Sequence, residues 1–204
     1  GSALTINGNL AMKGTGSGND AYGVSAAQKG GYGSTKTYQA TGINIYDKDG
    51  AAFTLNGNLD MKVKGVGVDM RGSEKNAVTI AGGTIFTPDD GEEASYKAVA
   101  ATSGTFAMGM NDAKTGSNGK DVVVQGTISL GKKGTVDLGL GSSKSRWTGI
   151  ADNKDGHPMN LYLSDGGMWE NRRTSKDQYG LFAGSRVTKV AGGTAPAKAG
   201  VIVQ

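Results

Sequence analysis

The sequence contains no cysteine, one histidine and 3 prolines among its 204 residues. The absence of cysteine excludes a disulfide framework, a thiol nucleophile and a zinc site built on thiolates. Because His157 is the single histidine, a metal centre with several histidine ligands is excluded as well. No apolar run approaches the roughly 18 residues that indicate a membrane-spanning helix, so we expect no membrane insertion by this segment.

Glycine, in contrast, is abundant, with 36 residues. Glycine accepts positive φ angles, so this composition predicts many turns. Collagen is excluded because glycine follows no strict three-residue period. The apolar residues alternate with polar ones in short runs, which argues against a disordered glycine-rich linker. Helical spacing is nearly absent, and the sequence therefore predicts an all-β protein.

Positive charge is concentrated in the second half of the chain. The formal net charge is +4, and residues 131–204 carry 11 Lys and Arg against 6 Asp and Glu. Such an imbalance favours anionic partners, for example acidic glycans, with nucleic acid as a non-specific alternative. A solvated face of mixed charge, without any partner, explains the same composition.

Internal repetition is the most informative feature of the sequence. Residues 4–13 (LTINGNLAMK) and 53–62 (FTLNGNLDMK) share seven of ten identities at an offset of 49. Looser copies begin at Val78 and Val122. Offsets of 49, 25, 44 and 23 residues between such segments are interpreted as two, one, two and one units of about 22–25 residues, the length of one coil of a solenoid.

This period predicts a right-handed, single-stranded parallel β-helix of about nine coils of roughly 22–25 residues with loop insertions. A β-sandwich or barrel also alternates apolar and polar residues, but it does not require such a period. The insertions are expected at 14–42, 87–93, 111–120 and 151–158, with a possible strand at 21–24. Residues 1–2 are typical of a cloning scar, and 3–204 are expected to be a single β-helix fragment of a longer protein.

The segment from Gly134 to Arg172 contains a strand, the string SRWTG, a second strand LYLS and a glycine–tryptophan corner, GGMW. This pattern resembles the passenger domains of monomeric (type V) autotransporters from bacteria with an outer membrane. The coils with NGNL and AGGTI are similar to the same family in repeat style. The resemblance covers most of the chain in style and about 40 residues in motif.

The resemblance implies secretion through an outer-membrane barrel that is absent from this chain, and display at the bacterial cell surface. It implies an adhesin that binds a glycan or protein of host or neighbouring bacterial cells. Self-association into aggregates and a passive stalk are alternatives. A polysaccharide-acting β-helix enzyme is a further alternative, because polysaccharide lyases share the β-helix fold.

A search for catalytic motifs favours a protein that is not an enzyme. The string Ser164-Asp165-Gly166-Gly167 has the wrong order for a serine protease loop, and His157 is expected to be an exposed loop histidine. The acidic residues at 89–93 adjoin one another in one loop, whereas lyase acids come from stacked coils. No calcium nonapeptide repeat, EF-hand or phosphate-binding loop is complete, so no catalytic residue, cofactor or metal site is predicted.

Two groups of residues are candidates for ligand binding. The densest basic group comprises Arg146, Arg172, Arg173 and Lys176. If coils repeat every 23 residues, Arg146 stacks near Arg172, and the four could bind an anionic glycan or DNA. The aromatic candidates are Trp147 and Trp169, which either contact a sugar or close a coil, and the tyrosines of the glycine-rich stretch, which either contact a partner or pack on the rod: Tyr22, Tyr32, Tyr38 and Tyr46.

Overall fold

The computed structural model describes residues 1–14, 41–88, 97–153, 155–172, 185–192 and 200–203, and the backbone alone at 22–27 and 40. Every regular element within these residues is a β-strand. The first eight strands are β1 (Ala3–Ile6), β2 (Leu10–Gly14), β3 (Tyr22–Ala27), β4 (Ala40–Tyr46), β5 (Ala52–Val63), β6 (Gly65–Arg71), β7 (Ala77–Phe86) and β8 (Lys97–Met108). The others are β9 (Val122–Gln125), β10 (Thr127–Leu140), β11 (Arg146–Gly149), β12 (Ala151–Asp152), β13 (Met159–Leu163), β14 (Met168–Asn171), β15 (Lys189–Gly192) and β16 (Val201–Val203).

All sixteen strands belong to one sheet, and every pairing between them is parallel. This confirms the all-β, parallel part of the predicted fold and excludes hairpin pairing between the described strands. Parallel strands require crossover connections, and here other strands of the same sheet supply them.

The sheet consists of three stacks of strand segments, because four long strands each contribute to two stacks. Stack A contains β1, the first halves of β5 and β7, the second halves of β8 and β10, then β13 and β15. Stack B contains β2, the second halves of β5 and β7, then β9, β11, β14 and β16. Stack C contains β3, β4, β6, the first halves of β8 and β10, and β12.

From β5 to β14 the chain visits stacks A, B and C in that order and starts the next level of A after each strand of stack C. The change from stack A to stack B in β5 coincides with a register irregularity between Leu55 and Asn58. An extra residue of this kind bends a strand locally, which turns the chain towards the next stack. The repeated order is consistent with the predicted solenoid.

The interpretation of the 49-residue repeat as two coils is wrong. Ala3–Ile6 pairs directly with Ala52–Leu55, so the two near-copies are neighbours in the sheet. The interpretation of the 44-residue offset between Ile80 and Val124 as two coils is wrong as well. Val124 lies in stack B and pairs with Ile85, whereas Ile80 lies in stack A. The 23-residue offset between Leu140 and Leu163 is confirmed.

Stacks A and B each contain seven described levels, fewer than the nine coils that the sequence predicts. The step between neighbouring strands ranges from 19 residues (Tyr22 to Thr41) to 49 (Ala3 to Ala52). A uniform coil length overestimates the number of levels, because insertions add residues to a level without adding a strand.

The core lies between the three stacks and is built from alternate residues of each strand. In stack A, Phe53 and Leu55 are buried while Thr54 between them is partly exposed. Equivalent positions pack above one another from level to level, so each inward row is a continuous apolar column. Burial of these rows against neighbouring levels is the main source of stability in a repeat architecture.

Candidate functional site

Trp147 and Trp169 belong to the core and do not form an exposed sugar-binding platform. They pair in register in stack B, and both side chains are buried. Their rings are parallel within 5°, with centroids 4.7 Å apart. Each indole Nε1 donates to the carbonyl oxygen of a corner glycine, Trp147 to Gly126 and Trp169 to Gly149, both at 3.1 Å. Their burial leaves neither ring accessible to a sugar, and each indole connects its strand to a neighbouring corner.

The four predicted basic residues do not form a ladder where they are described. Arg146 is exposed on stack B and pairs with Met168, while Arg172 lies four residues beyond Met168. Arg172 Nε donates to Glu170 Oε1 at 3.2 Å, and its backbone N–H donates to Gly149. The structure therefore does not stack Arg146 on Arg172. Arg173 and Lys176 lie outside the described residues.

His157 is mostly buried, contrary to the expectation of an exposed loop histidine. Its Nε2 lies 3.6 Å from Asp155 Oδ2. The buried side chain of Asn153 holds the loop by donating to the His157 carbonyl at 2.7 Å and accepting from the His157 backbone N–H at 2.8 Å. These contacts fix the loop and bring no nucleophile to the imidazole.

On the outward side of stack C, polar side chains from successive levels contact one another. Pairing places five outward residues in one line across successive levels: Asn44, Asp69, Ala100, Ser129 and Asp152. Flanking this line are Tyr46 and Arg71, which pair with each other, and Lys97. We call these eight residues the C-face row.

Asp69 is the most perturbed ionisable group described. Burial raises the pKa of its carboxyl above the ordinary value, although the neighbouring Arg71 and Lys97 charges act in the opposite direction. The Arg71 guanidinium contacts the carboxylate at 2.5 Å and also lies 5.9 Å from the centroid of the Tyr46 ring. The exposed Tyr46 ring, 51% accessible, is thus held beside a charged pair.

A second set of contacts continues the C-face row at the next levels. Lys97 Nζ donates to Ser129 Oγ at 3.1 Å, and Ser129 Oγ donates to Asp152 Oδ2 at 3.0 Å. In the same row Asn44 Oδ1 is buried and accepts no hydrogen bond from the described residues. The row therefore combines donors, acceptors and both charges along one strip of sheet.

The acidic residues of the C-face row do not form a catalytic pair. Asp69 and Asp152 are separated in the row by Ala100 and Ser129, which is three inter-strand steps, or about 14 Å. Glycosidase carboxyl pairs are closer than this, at about 5–9.5 Å. In the described part of the chain no group of three His, Asp or Glu residues could hold a metal ion. The same residues include no helix long and apolar enough to cross a membrane.

No known protein family, curated protein or solved structure matches this chain. Its function is therefore inferred from its residues and their arrangement. Sequence reasoning named Tyr46 as a candidate contact but missed Asp69, Lys97, Ser129 and Asp152. The steps between paired residues of the row are 25, 31, 29 and 23, so no fixed period could have aligned them.

Proposed function

We propose that this chain is an adhesin segment from an autotransporter passenger domain, displayed on the surface of a bacterium with an outer membrane. In this proposal the three parallel stacks form a right-handed β-helix. The repeated A, B, C order of the chain and the likeness of SRWTG and GGMW to passenger sequences support this assignment. Its role is to bind a glycan or matrix ligand on host or neighbouring bacterial cells.

The observation that carries the binding proposal is the C-face row. Tyr46 offers an exposed aromatic ring, which can contact the apolar face of a sugar at little entropic cost. Arg71, Lys97 and Asp152 offer hydrogen-bonding groups at separate levels of the same strip. An extended glycan chain has alternating apolar faces and hydroxyls, and a linear row complements such a shape. Several weak contacts per copy add up when many copies share one cell surface.

The same geometry supports a proposal of binding without catalysis. The carboxylates of the row are too far apart for paired acid–base catalysis, and the Ser129 hydroxyl is hydrogen-bonded to both Lys97 and Asp152. The test against an enzyme is direct. Incubation with acidic and neutral polysaccharides should release no reducing ends, whereas measurable release would favour the β-helix enzyme.

The decisive experiment is a glycan and extracellular-matrix binding screen with matched variants. Tyr46→Ala and Arg71→Ser should each lower the affinity for the ligand found, by about tenfold for one contact worth about 1.4 kcal/mol. Lys62→Ser is the matched control, since Lys62 is exposed on an outward position of stack B, away from the C-face row and from the basic residues discussed below. Equal loss in all three variants would show that the C-face row is not the specific contact, and no ligand at all would favour the passive stalk.

Four basic residues provide a second candidate contact for an anionic glycan. Exposed Arg146, together with Arg172, Arg173 and Lys176, adds positive charge that suits an anionic glycan. Replacing the four with Ser should lower retention on a heparin column without changing the melting temperature. Unchanged retention would remove these residues from the binding surface.

A further inference from the structure

Arg71 and Asp69 form an ion pair whose two partners differ strongly in exposure. The Arg71 side chain is 54% accessible, whereas that of Asp69 is 14% accessible. The Arg71 guanidinium also lies 5.9 Å from the centroid of the exposed Tyr46 ring, so a cation–π contact holds it at the surface independently of Asp69. A molecule that approaches from solvent therefore meets the cation of this pair before the anion.

A buried acceptor lies beside the less exposed partner of the pair. Asn44 pairs in register with Asp69 on the neighbouring strand, in the same outward row. It is 4% accessible, and its Oδ1 is buried and receives no hydrogen bond from the described residues. Neighbouring strands lie about 4.8 Å apart, so two side chains paired in this way can contact each other. A carboxylate cannot donate to this oxygen, whereas a protonated carboxyl has one O–H donor.

The groups that face Asp69 come from its own strand and from both neighbouring strands: Arg71 from β6, Asn44 and Tyr46 from β4, and Lys97 and Ala100 from β8. Burial raises the pKa of the Asp69 carboxyl, and the charges of Arg71 and Lys97 lower it by less. Asp152 lies about 14 Å along the row, beyond the screening length of about 8 Å at physiological ionic strength. The surroundings of Asp69 therefore favour its neutral form more than those of an ordinary surface aspartate do.

We propose, building on the glycan-binding function above, that the ligand of the C-face row is a carboxylated glycan whose carboxylate takes the place of Asp69 on the Arg71 guanidinium. Asp69 takes up a proton from solvent in this exchange and donates it in a hydrogen bond to Asn44 Oδ1. The entering group has the chemistry of the group that it replaces, so Arg71 keeps a charge-assisted hydrogen bond. The exchange also pairs a buried acceptor that otherwise has no described donor.

The charge of the row favours such a ligand once Asp69 is neutral. With Asp69 ionised, the two cations Arg71 and Lys97 are balanced by the two anions Asp69 and Asp152. Protonation of Asp69 leaves one positive charge in excess, which attracts an acidic chain. Tyr46 lies beside Arg71 and offers its ring to the apolar face of the sugar that bears the carboxylate.

Proton uptake gives the proposal a measurable signature, because affinity must then rise as the pH falls. The probe is a galacturonate oligosaccharide, titrated by isothermal calorimetry between neutral and mildly acidic pH, where its carboxylates stay ionised. Only molecules with protonated Asp69 bind, so the dissociation constant should fall by up to about tenfold per pH unit above the folded-state pKa of Asp69. The same oligosaccharide with methyl-esterified carboxyls should bind more weakly and without this pH dependence.

Variants assign the signature to individual residues. Asp69→Asn is neutral at every pH and retains a donor for Asn44, so it should bind galacturonate at neutral pH as tightly as the unmodified protein does in mild acid. Asn44→Val removes the acceptor and should move the pH profile to lower pH. Arg71→Ser should lose about tenfold or more in affinity at every pH, the value of a hydrogen bond between charged groups. Asp60→Asn is the matched control, since it removes the same charge at an exposed outward position of stack B and should keep the unmodified profile.

The outcomes separate this ligand assignment from the wider function. Equal affinity for galacturonate and its methyl ester, with losses in Tyr46→Ala and Arg71→Ser, would overturn the carboxylate exchange and leave glycan binding in place. Equal gains for Asp69→Asn and Asp60→Asn at neutral pH would reduce the effect to net charge and would also overturn it. Absence of binding to both oligosaccharides at every pH rules out this ligand class, while the glycan and matrix screen decides the proposed function. Circular dichroism should show each variant folded.

Discussion

The side-chain amide of Asn56 donates to Asn7 Oδ1 at 2.8 Å, although 49 residues separate the two in the chain. Beside them, Asn9 Oδ1 accepts from the backbone N–H of Asn58 at 2.9 Å. Both contacts lie where the chain turns from stack A to stack B, on successive levels. The repeated Asn-Gly-Asn is thus a ladder of corner amides, in which each copy satisfies polar groups of the other.

Removing one of these corner hydrogen bonds should lower the free energy of unfolding by a modest amount. Asn9→Ala leaves the Asn58 N–H without its protein acceptor at an exposed corner. A net hydrogen bond contributes about 0.5–1.5 kcal/mol, so we expect a loss of this size in the free energy of unfolding measured by urea denaturation. Asn9→Asp retains the acceptor and is the control, with little or no loss expected. A loss above about 3 kcal/mol would mean that the corner has a larger structural role.

Truncating the tryptophan stack should be far more destabilising. Trp169→Ala removes a buried ring stacked on Trp147 and the donor to the Gly149 carbonyl. Core truncations of large aromatics cost about 3–5 kcal/mol, and we expect a value in this range. Trp169→Phe retains most of the stacked area and should recover more than half of the loss. Equal losses for both variants would show that the Nε1 hydrogen bond, and not the stack, dominates.

Asn76 connects the turn that precedes β7 to two other segments. Its buried side chain accepts from the Ala51 N–H at 2.8 Å and donates to the carbonyls of Asp47 and Arg71 at 3.1 and 2.6 Å. Asn76→Ala leaves these three backbone groups unpaired, and we expect a loss of about 2–4 kcal/mol.

Asn76→Asp is the informative companion, because it retains an acceptor for Ala51. It has no donor for the two carbonyls and brings a carboxylate close to them. The melting temperature should therefore fall at least as far as in Asn76→Ala at neutral pH. A melting temperature like that of the unmodified protein would show that the acceptor role alone matters.

Asp69 predicts a pH dependence with a definite sign. Burial raises the pKa of the Asp69 carboxyl in the folded protein above its value in the unfolded chain. The protonated carboxyl therefore contributes favourably to the stability of the fold, and this contribution is fully present below the unfolded-state pKa. That contribution is lost as the pH rises through the folded pKa. Asp69→Asn should therefore raise the melting temperature at neutral pH relative to the unmodified protein, and the difference should shrink as the pH falls below the ordinary aspartate pKa.

The matched control is Asp60→Asn, which makes the same charge change at an exposed outward position of stack B. Its melting temperature should stay close to that of the unmodified protein at every pH. If Asp69→Asn instead lowers the melting temperature at neutral pH, the Arg71 ion pair outweighs the cost of burial.

Much of the architecture is encoded locally and could be predicted. Alternation of residues such as Phe53, Thr54 and Leu55 specifies a strand with one buried side, whatever its partner. The 23-residue offset correctly predicted the pairing of Leu140 with Leu163, whereas the near-copies at residues 4–13 and 53–62 were placed two coils apart although they are direct neighbours. The predicted polar loop at 111–120 is present, outside any strand.

Register could not be predicted in the same way. Insertions change the coil length from level to level, so a fixed number of residues per coil predicts the wrong partner for Val124. It also places the near-copies at 4–13 and 53–62 two coils apart, although they are neighbours. The same error aligned Arg146 with Arg172, where the structure pairs Arg146 with Met168. The C-face row was missed for this reason, because its members share a line only once every step is known.

The sequence alone thus determined the all-β character, the glycine-rich corners and the inward and outward sides of each strand, since these depend on alternation and on local backbone preferences. Only the tertiary structure decided which strands are neighbours, and with them the contacts of Trp147 with Trp169, Lys97 with Ser129 and Asp69 with its surroundings. These contacts join residues from different levels, and the loops between levels vary in length. Their pairing is therefore a property of the packed sheet as a whole.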